Sequence, residues 1–199
     1  MMLFPISLVL SYLIGTVSGS YFLGKIFLNV DVREHGSKNA GTTNAMRVLG
    51  KKLGVITFII DFLKGVLVAF ISKFLFDFSD EYTLLIILAC IIGHDYPFYM
   101  KFKGGKGVAT TLGAFAVFDF KLTFICWIVW MLLTIFTRIV SLASIGFFLS
   151  IFVLFTFFGF YSIYSKILIG IICILGIYRH KSNILRLLSG TENKIGNRR

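Results

Sequence analysis

From Leu3 to Tyr178 the chain is a succession of apolar runs separated by short polar segments, most of them near the ~20 residues an α-helix needs to cross a bilayer. That pattern leaves no stretch over for a separate soluble domain, so residues 1–199 read as a single transmembrane domain. With 57% hydrophobic and 15% charged residues, a water-soluble domain of this size would not stay dispersed, and lipid is the expected solvent. The expected fold is all-α and polytopic. Runs near residues 3–23, 53–73, 82–99, 107–119, 121–137, 140–160 and 163–178 give about seven transmembrane helices, the fourth short enough to be a half-span. The first run has no basic residue ahead of it and no A-x-A pattern, so it reads as a span rather than a removable leader. Within it Ser7, Ser11, Gly15 and Gly19 recur every fourth residue, a small-residue face on which a second helix can pack closely.

The formal charge of +11 does not point to nucleic acid, because the basic residues are divided among the short segments between apolar runs. Membrane lipid and phosphorylated substrates are the expected partners. One alternating set of segments carries Lys25, Arg33, Lys38, Arg47, Lys51 and Lys52, then Lys101, Lys103 and Lys106, then Arg138, then a tail with Arg179, Lys181, Arg186, Lys194, Arg198 and Arg199. The opposite set holds Lys73, Lys121 and Lys166 beside Asp77, Asp80, Glu81 and Asp119. The positive-inside rule makes the first set cytoplasmic, with the N-terminus outside and the C-terminus inside. Every stretch rich in Gly, Asn, Ser, Thr or His falls on that basic side, so chemistry is expected at the cytoplasmic interface. Cys90, Cys126 and Cys173 lie in separate apolar runs without CxxC spacing and read as packing residues; no metal site and no cofactor are expected.

Four polar segments could carry chemistry. In Asp31–Arg47, Gly36 and Gly41 allow close backbone approach and Ser37, Asn39, Thr42, Thr43 and Asn44 offer neutral hydrogen bonds. Arg33, Lys38 and Arg47 add charge for an anion, although a polar connector with capping residues fits the same composition. In Gly93–Thr111, Gly104, Gly105 and Gly107 surround Lys106 at a predicted helix start, where free amides and the helix dipole favour phosphate. The Walker pattern fails, since Met100 replaces its first glycine and Gly107 follows the lysine. Ser141 and Ser144 share a helix face in the third segment, and His180 and Asn183 lie three apart in the fourth, near Arg179, Lys181 and Arg186. Helix capping and a basic tail on anionic headgroups are the plain alternatives for these two. Inside a span, Asp61 and Lys64 lie one turn apart, a spacing that suits a structural ion pair more than a direct substrate role.

In order along the chain, G-S-x-N-x-G-x-T-N-x-x-R (Gly36 to Arg47), D-x-x-K-G (Asp61 to Gly65), G-H-x-x-P (Gly93 to Pro97), F-K-G-G-K-G-V-A-T (Phe102 to Thr110), S-L-x-S (Ser141 to Ser144), H-x-x-N-I (His180 to Ile184) and a closing G-T-E resemble the bacterial PlsY family over almost the whole sequence. The resemblance implies an acyl-phosphate:glycerol-3-phosphate acyltransferase of the bacterial cytoplasmic (inner) membrane, one that moves a fatty acyl group from acyl phosphate to the 1-hydroxyl of sn-glycerol 3-phosphate and yields lysophosphatidic acid and phosphate. By matching positions, Ser37, Arg47, Lys106, Asn183, His180 and one or both of Ser141 and Ser144 are the implied catalytic set. Asn39, Gly41, Thr43, Asn44, His94, Gly104 and Gly105 are the implied substrate-binding set. Lys181 stands where many relatives have arginine. The H-x-x-x-x-D motif of other glycerolipid acyltransferases is absent, because Ala40, Tyr99 and Leu185 follow the three histidines at that spacing, and so is the D-G-x-x-A-R of CDP-alcohol transferases. Against this stand two other classes: a transporter for an organic or lipid phosphate, which a clear internal repeat would favour, and a structural anchor whose polar loops would tolerate substitution.

Overall fold

A computed structural model describes residues 3–196; Arg198 and Arg199, read above as part of the basic tail, lie outside the described residues. The described chain forms ten α-helices and no strand: α1 (Leu3–Thr16), α2 (Gly19–Leu28), α3 (Thr42–Val48), α4 (Gly50–Phe70), α5 (Asp80–Asp95), α6 (Val108–Phe118), α7 (Phe120–Thr137), α8 (Val140–Phe157), α9 (Ile163–Arg179) and α10 (Lys181–Leu188). Four stretches are long and apolar enough to cross a membrane: Gly50–Leu75, Asp80–Met100, Phe120–Thr137 and Val140–Phe157. Two bent pairs, α1 with α2 and α9 with α10, raise the number to six if each is one span. With 11 residues, α6 rises only about 16 Å, short of the bilayer core by itself.

The first span is not the continuous helix expected from residues 3–23. It breaks at Val17–Ser18 with a 42° bend, and the Ser18 hydroxyl caps α2 by accepting from the Tyr21 amide at 3.4 Å. A break at membrane depth frees carbonyls that lipid cannot satisfy. Here side chains take them: the Lys64 ammonium donates to the Gly15 and Val17 carbonyls at 2.9 and 2.7 Å, and the Tyr99 hydroxyl donates to the Thr16 carbonyl at 2.6 Å.

The chain forms two compact units, one running to Phe118 and the other starting at Asp119. In the first, α1 packs on α5 and α4 on α6, and glycines set both crossings. A β-carbon on Gly15 would strike the Cys90 backbone and one on Gly93 the Tyr12 backbone; Gly65 and Gly113 meet the Thr110 and Phe62 carbonyls in the same way. Backbones in such contact gain packing that lipid does not match. The expected small-residue face of α1 is therefore real: Ser7, Ser11 and Gly15 are buried, and Ser11 donates to the Ile86 carbonyl at 2.6 Å.

In the second unit α8 packs against both α7 and α9 around buried Phe147, Phe148, Ile151 and Phe155. At one end Asp119 caps α7 through the Leu122 amide (3.1 Å) and accepts the Tyr161 hydroxyl (2.6 Å). At the other, the Arg138 carbonyl accepts the Ile195 amide at 2.8 Å, pinning the C-terminal segment beside the turn from α7 to α8. The three cysteines are buried free thiols. Large apolar side chains such as Phe74, Phe136 and Ile174 point outward, as lipid-facing helices require.

Candidate active site

The segment between α2 and α4 is held from inside by Asn44. Its side chain, 1% exposed, donates to the carbonyls of Val32 (2.8 Å) and His35 (3.1 Å) and accepts the Ser37 amide (2.8 Å). Gly36 has φ +59°, and a β-carbon there would collide with the Asn44 amide oxygen, so the motif glycine is needed on both counts. Asn44, expected in the substrate-binding set, thus spends its side-chain amide on shaping the loop. Arg33, expected to add charge for an anion, is engaged within the fold as well. Its guanidinium grips the Asp31 carboxylate (2.7 and 3.0 Å), donates to the Met100 carbonyl (2.7 Å) and lies 5.1 Å above the Tyr21 ring. The hydrogen bonds and charge of Arg33 hold the Asp31 carboxyl below its ordinary range. Ser37, Lys38 and Arg47 remain exposed, with Asn39, Gly41 and Thr43 partly buried.

The Arg33–Met100 bond brings the two polar segments of the first unit together. Met100 is fully buried in a cluster with Val32, Ala40, Ala45 and Leu49, and the rings of Tyr21 and Tyr99 lie 5.9 Å apart. From Met100 the chain turns through Gly104 and Gly105, whose amides donate back to the carbonyls of Asp95 (3.0 Å) and His94 (3.1 Å). Those amides were expected to face a phosphate; the structure turns them inward, and the glycines are required because a β-carbon on either would overlap the backbone or ring of His94. The donors that do lack intrahelical carbonyls belong to the first turn of α6, beginning at Val108. Lys106, partly buried, immediately precedes that turn, and Gly107 (φ +72°) accepts the first helical bond from Thr111 at 2.7 Å.

His94, also expected to contact substrate, is 4% exposed, with Nδ1 2.8 Å from the Lys64 ammonium. The Asp61–Lys64 pair expected from spacing is present at 3.0 Å and fully buried, and His94 makes it a triad.

In the second unit the predicted residues gather at the end where α7 closes, α8 begins and α9 finishes. Ser144 donates to the Val140 carbonyl (2.8 Å) and lies 3.4 Å from the Trp130 indole nitrogen. The Ser141 hydroxyl is buried with no hydrogen-bond partner among the described residues. His180 closes α9, with Nδ1 2.8 Å from the Gly176 carbonyl and its ring 6.3 Å from that of Phe148. Asn183 donates to Glu192 (2.9 Å), whose other oxygen accepts from Arg186 (2.8 Å). In the sequence Glu192 enters only through the closing G-T-E; a single acidic residue in a basic tail is the signal that marks it. Lys181 is exposed beside Tyr178. Among the described residues no three His, Cys, Asp or Glu side chains converge on a metal-sized site.

The sequence model of the family described as Glycerol-3-phosphate acyltransferase matches residues 5–190. A glycerol-3-phosphate acyltransferase of Fusobacterium nucleatum is 47% identical over 94% of this chain and 95% of its own length. The enzyme of the same name from Halalkalibacterium halodurans is 42% identical over 95% and 94%. A crystal structure of PlsY (YgiH), an integral membrane glycerol 3-phosphate acyltransferase, in its glycerol 3-phosphate form superposes with a TM-score of 0.92 at 38% identity, covering 97% of this chain and 96% of that one. Its lysophosphatidic acid form gives 0.88 at 37% identity, covering 97% and 95%.

Proposed function

Because this chain belongs to the PlsY family of integral membrane glycerol-3-phosphate acyltransferases, we propose that it transfers a fatty acyl group from acyl phosphate to the 1-hydroxyl of sn-glycerol 3-phosphate at the cytoplasmic face of a bacterial membrane. The products are lysophosphatidic acid and phosphate. An acyl phosphate is a mixed anhydride with a good leaving group, so no covalent protein nucleophile is needed. The hydroxyl oxygen attacks the acyl carbon, the bond from that carbon to the phosphate oxygen breaks, and a substrate phosphate takes the hydroxyl proton. What remains for the protein is to hold two repelling anions in line and stabilise the oxyanion, which cations and fixed donors do without bond making.

In this reading Lys106, Ser37 and Arg47 of the first unit contact the phosphates, with Asn39, Gly41, Thr43 and the first turn of α6 on the acyl-phosphate side. Ser141, Ser144, His180 and Asn183 of the second unit complete the catalytic set, and residues 1–199 work as one functional domain. The observation that carries it is the Arg33–Met100 bond, which joins the Ser37–Arg47 segment to the stretch leading to Lys106. About seven crossings are proposed, counting each bent pair once and α6 with the glycine segment before it as another. An odd number leaves the termini on opposite sides, and the lysine and arginine bias supports an N-terminus outside and a C-terminus in the cytoplasm.

The test offers purified enzyme acyl phosphate, acyl-CoA and acyl-ACP side by side with glycerol 3-phosphate. Product from acyl phosphate alone is expected; equal use of acyl-CoA or acyl-ACP would overturn the donor assignment. Near wild-type turnover by folded Lys106→Ala, Arg47→Ala and Asn183→Ala would overturn the residue assignment.

A further inference from the structure

Three ionisable side chains deep in the first unit take no part in the reaction just described. Asp61, Lys64 and His94 are 1%, 6% and 4% exposed, on two different helices, α4 and α5. Burial of this kind is costly unless every member is paired. Lys64 is paired four ways: to the Gly15 and Val17 carbonyls at the break between α1 and α2, to Asp61 at 3.0 Å, and to His94 Nδ1 at 2.8 Å. Carbonyls at the C-terminal end of α1 carry its partial negative charge, which an ammonium complements.

The contact with Lys64 holds the His94 ring in place. Nδ1 lies 2.8 Å from the Lys64 ammonium and 3.6 Å from the Asp61 carboxylate, which balances the lysine charge. From there the path to the glycine turn is direct. The His94 carbonyl accepts the Gly105 amide at 3.1 Å, and its ring occupies the space a Gly105 side chain would take. Lys106 is the next residue. Tyr99, in the same polar segment, is tied to the same helix break through the Thr16 carbonyl.

We propose that Asp61, Lys64 and His94 are positioning residues for the acyl transfer: the buried triad locks the His94 ring, the ring seats the Gly104–Gly105 turn, and the turn aims Lys106 at the substrate phosphate. The proposal rests on the reading that Lys106 contacts substrate. It explains why a charge pair is kept at a helix break where uncharged side chains could have satisfied two carbonyls. It also explains why the turn is glycine at a place where its amides face inward.

A double-mutant cycle tests it. Wild type, Lys64→Met, Lys106→Ala and the double variant are purified, and kcat and KM for glycerol 3-phosphate and acyl phosphate are measured. Misplacing a catalytic group by about 1 Å can cost about 100-fold, so Lys64→Met is expected to lower kcat/KM by about that factor. In the Lys106→Ala background the same change should cost no more than about 3-fold, because a lost lysine cannot be misaimed. His94→Asn is the gentler variant: its side-chain oxygen can still accept from Lys64, so the protein keeps its fold, but no ring seats the turn. It should show the same coupling to Lys106 with an unchanged melting temperature. Effects of Lys64 or His94 that multiply with a large Lys106→Ala loss would overturn the positioning role alone. A fully active Lys106→Ala would remove the underlying reading, and the proposal with it.

Discussion

The guanidinium of Arg33 donates to the main-chain carbonyl of Met100 at 2.7 Å across 67 residues of sequence, while its other edge grips Asp31. One planar fork thereby fastens the first polar segment to the second. Lysine cannot reproduce that geometry, having one point of charge where arginine has two faces of donors. Arg33→Lys should therefore behave more like Arg33→Ala than like wild type. Both should lose about 2 kcal/mol, the usual value of hydrogen bonds to a charged group, and kcat/KM should fall by about tenfold. Hydrogen exchange over residues 31–48 would report the loosening; unchanged protection there would refute it.

Asp31 makes the same bond sensitive to acid. The side-chain hydrogen bond from Arg33 lowers its pKa below the ordinary 3.8, against the opposing effect of burial. A depressed carboxylate contributes stability that is complete above the unfolded value and is lost as the pH falls through the lower folded one. The contribution of the Asp31–Arg33 pair should thus be unchanged from neutrality down to about 5 and be lost only in stronger acid. In Asp31→Asn the acid-dependent part of this loss should vanish. Exchange measured across a pH series on both proteins checks this, and parallel profiles would count against it.

The helix crossings make a third prediction. Gly15→Ala would drive a methyl group into the Cys90 backbone, whereas Gly170→Ala meets nothing nearer than the Phe152 ring at 3.6 Å. Overpacking against a main chain that cannot yield costs about 1–3 kcal/mol. The melting temperature of Gly15→Ala in detergent should drop by several degrees while that of Gly170→Ala stays near wild type.

How much of this was legible beforehand depends on the kind of signal. The spans, their small-residue face at Ser7, Ser11 and Gly15, and the Asp61–Lys64 pair follow from length and helical spacing, which are local. The break at Val17–Ser18 was not legible, because it carries no proline or charge; its stabilising partners, Lys64 and Tyr99, lie 47 and 83 residues away from the carbonyls they bind. Composition also could not tell ligand donors from internal ones. Asn44 and Arg33 look like phosphate ligands on paper, yet both are used on neighbouring backbone. Gly104 and Gly105 read as an open anion cradle, while their amides bond back to the Asp95 and His94 carbonyls and the His94 ring fills the space beside Gly105.

Ser141 and Ser144 could not be told apart from the sequence, since both stand on one face at the start of α8. Their surroundings separate them. The Ser144 hydroxyl already donates to the Val140 carbonyl at 2.8 Å and has the Trp130 indole nitrogen at 3.4 Å. Ser141 is 9% exposed and its hydroxyl has no partner among the described residues. A buried hydroxyl left unpaired costs about 1–3 kcal/mol, and such a group suits a donor that is paired only when substrate is bound. Ser141→Ala removes that cost, and the free protein should melt at the same temperature or slightly higher. With substrate bound the variant lacks a donor, and kcat/KM should fall by about tenfold or more. Ser144→Ala should do the reverse, losing a few tenths to about 1 kcal/mol of stability with a smaller effect on turnover. Melting temperatures and kinetics of the two variants, measured in parallel, decide the matter: a Ser141→Ala protein that is both less stable and fully active would show that this hydroxyl serves the fold and not the substrate.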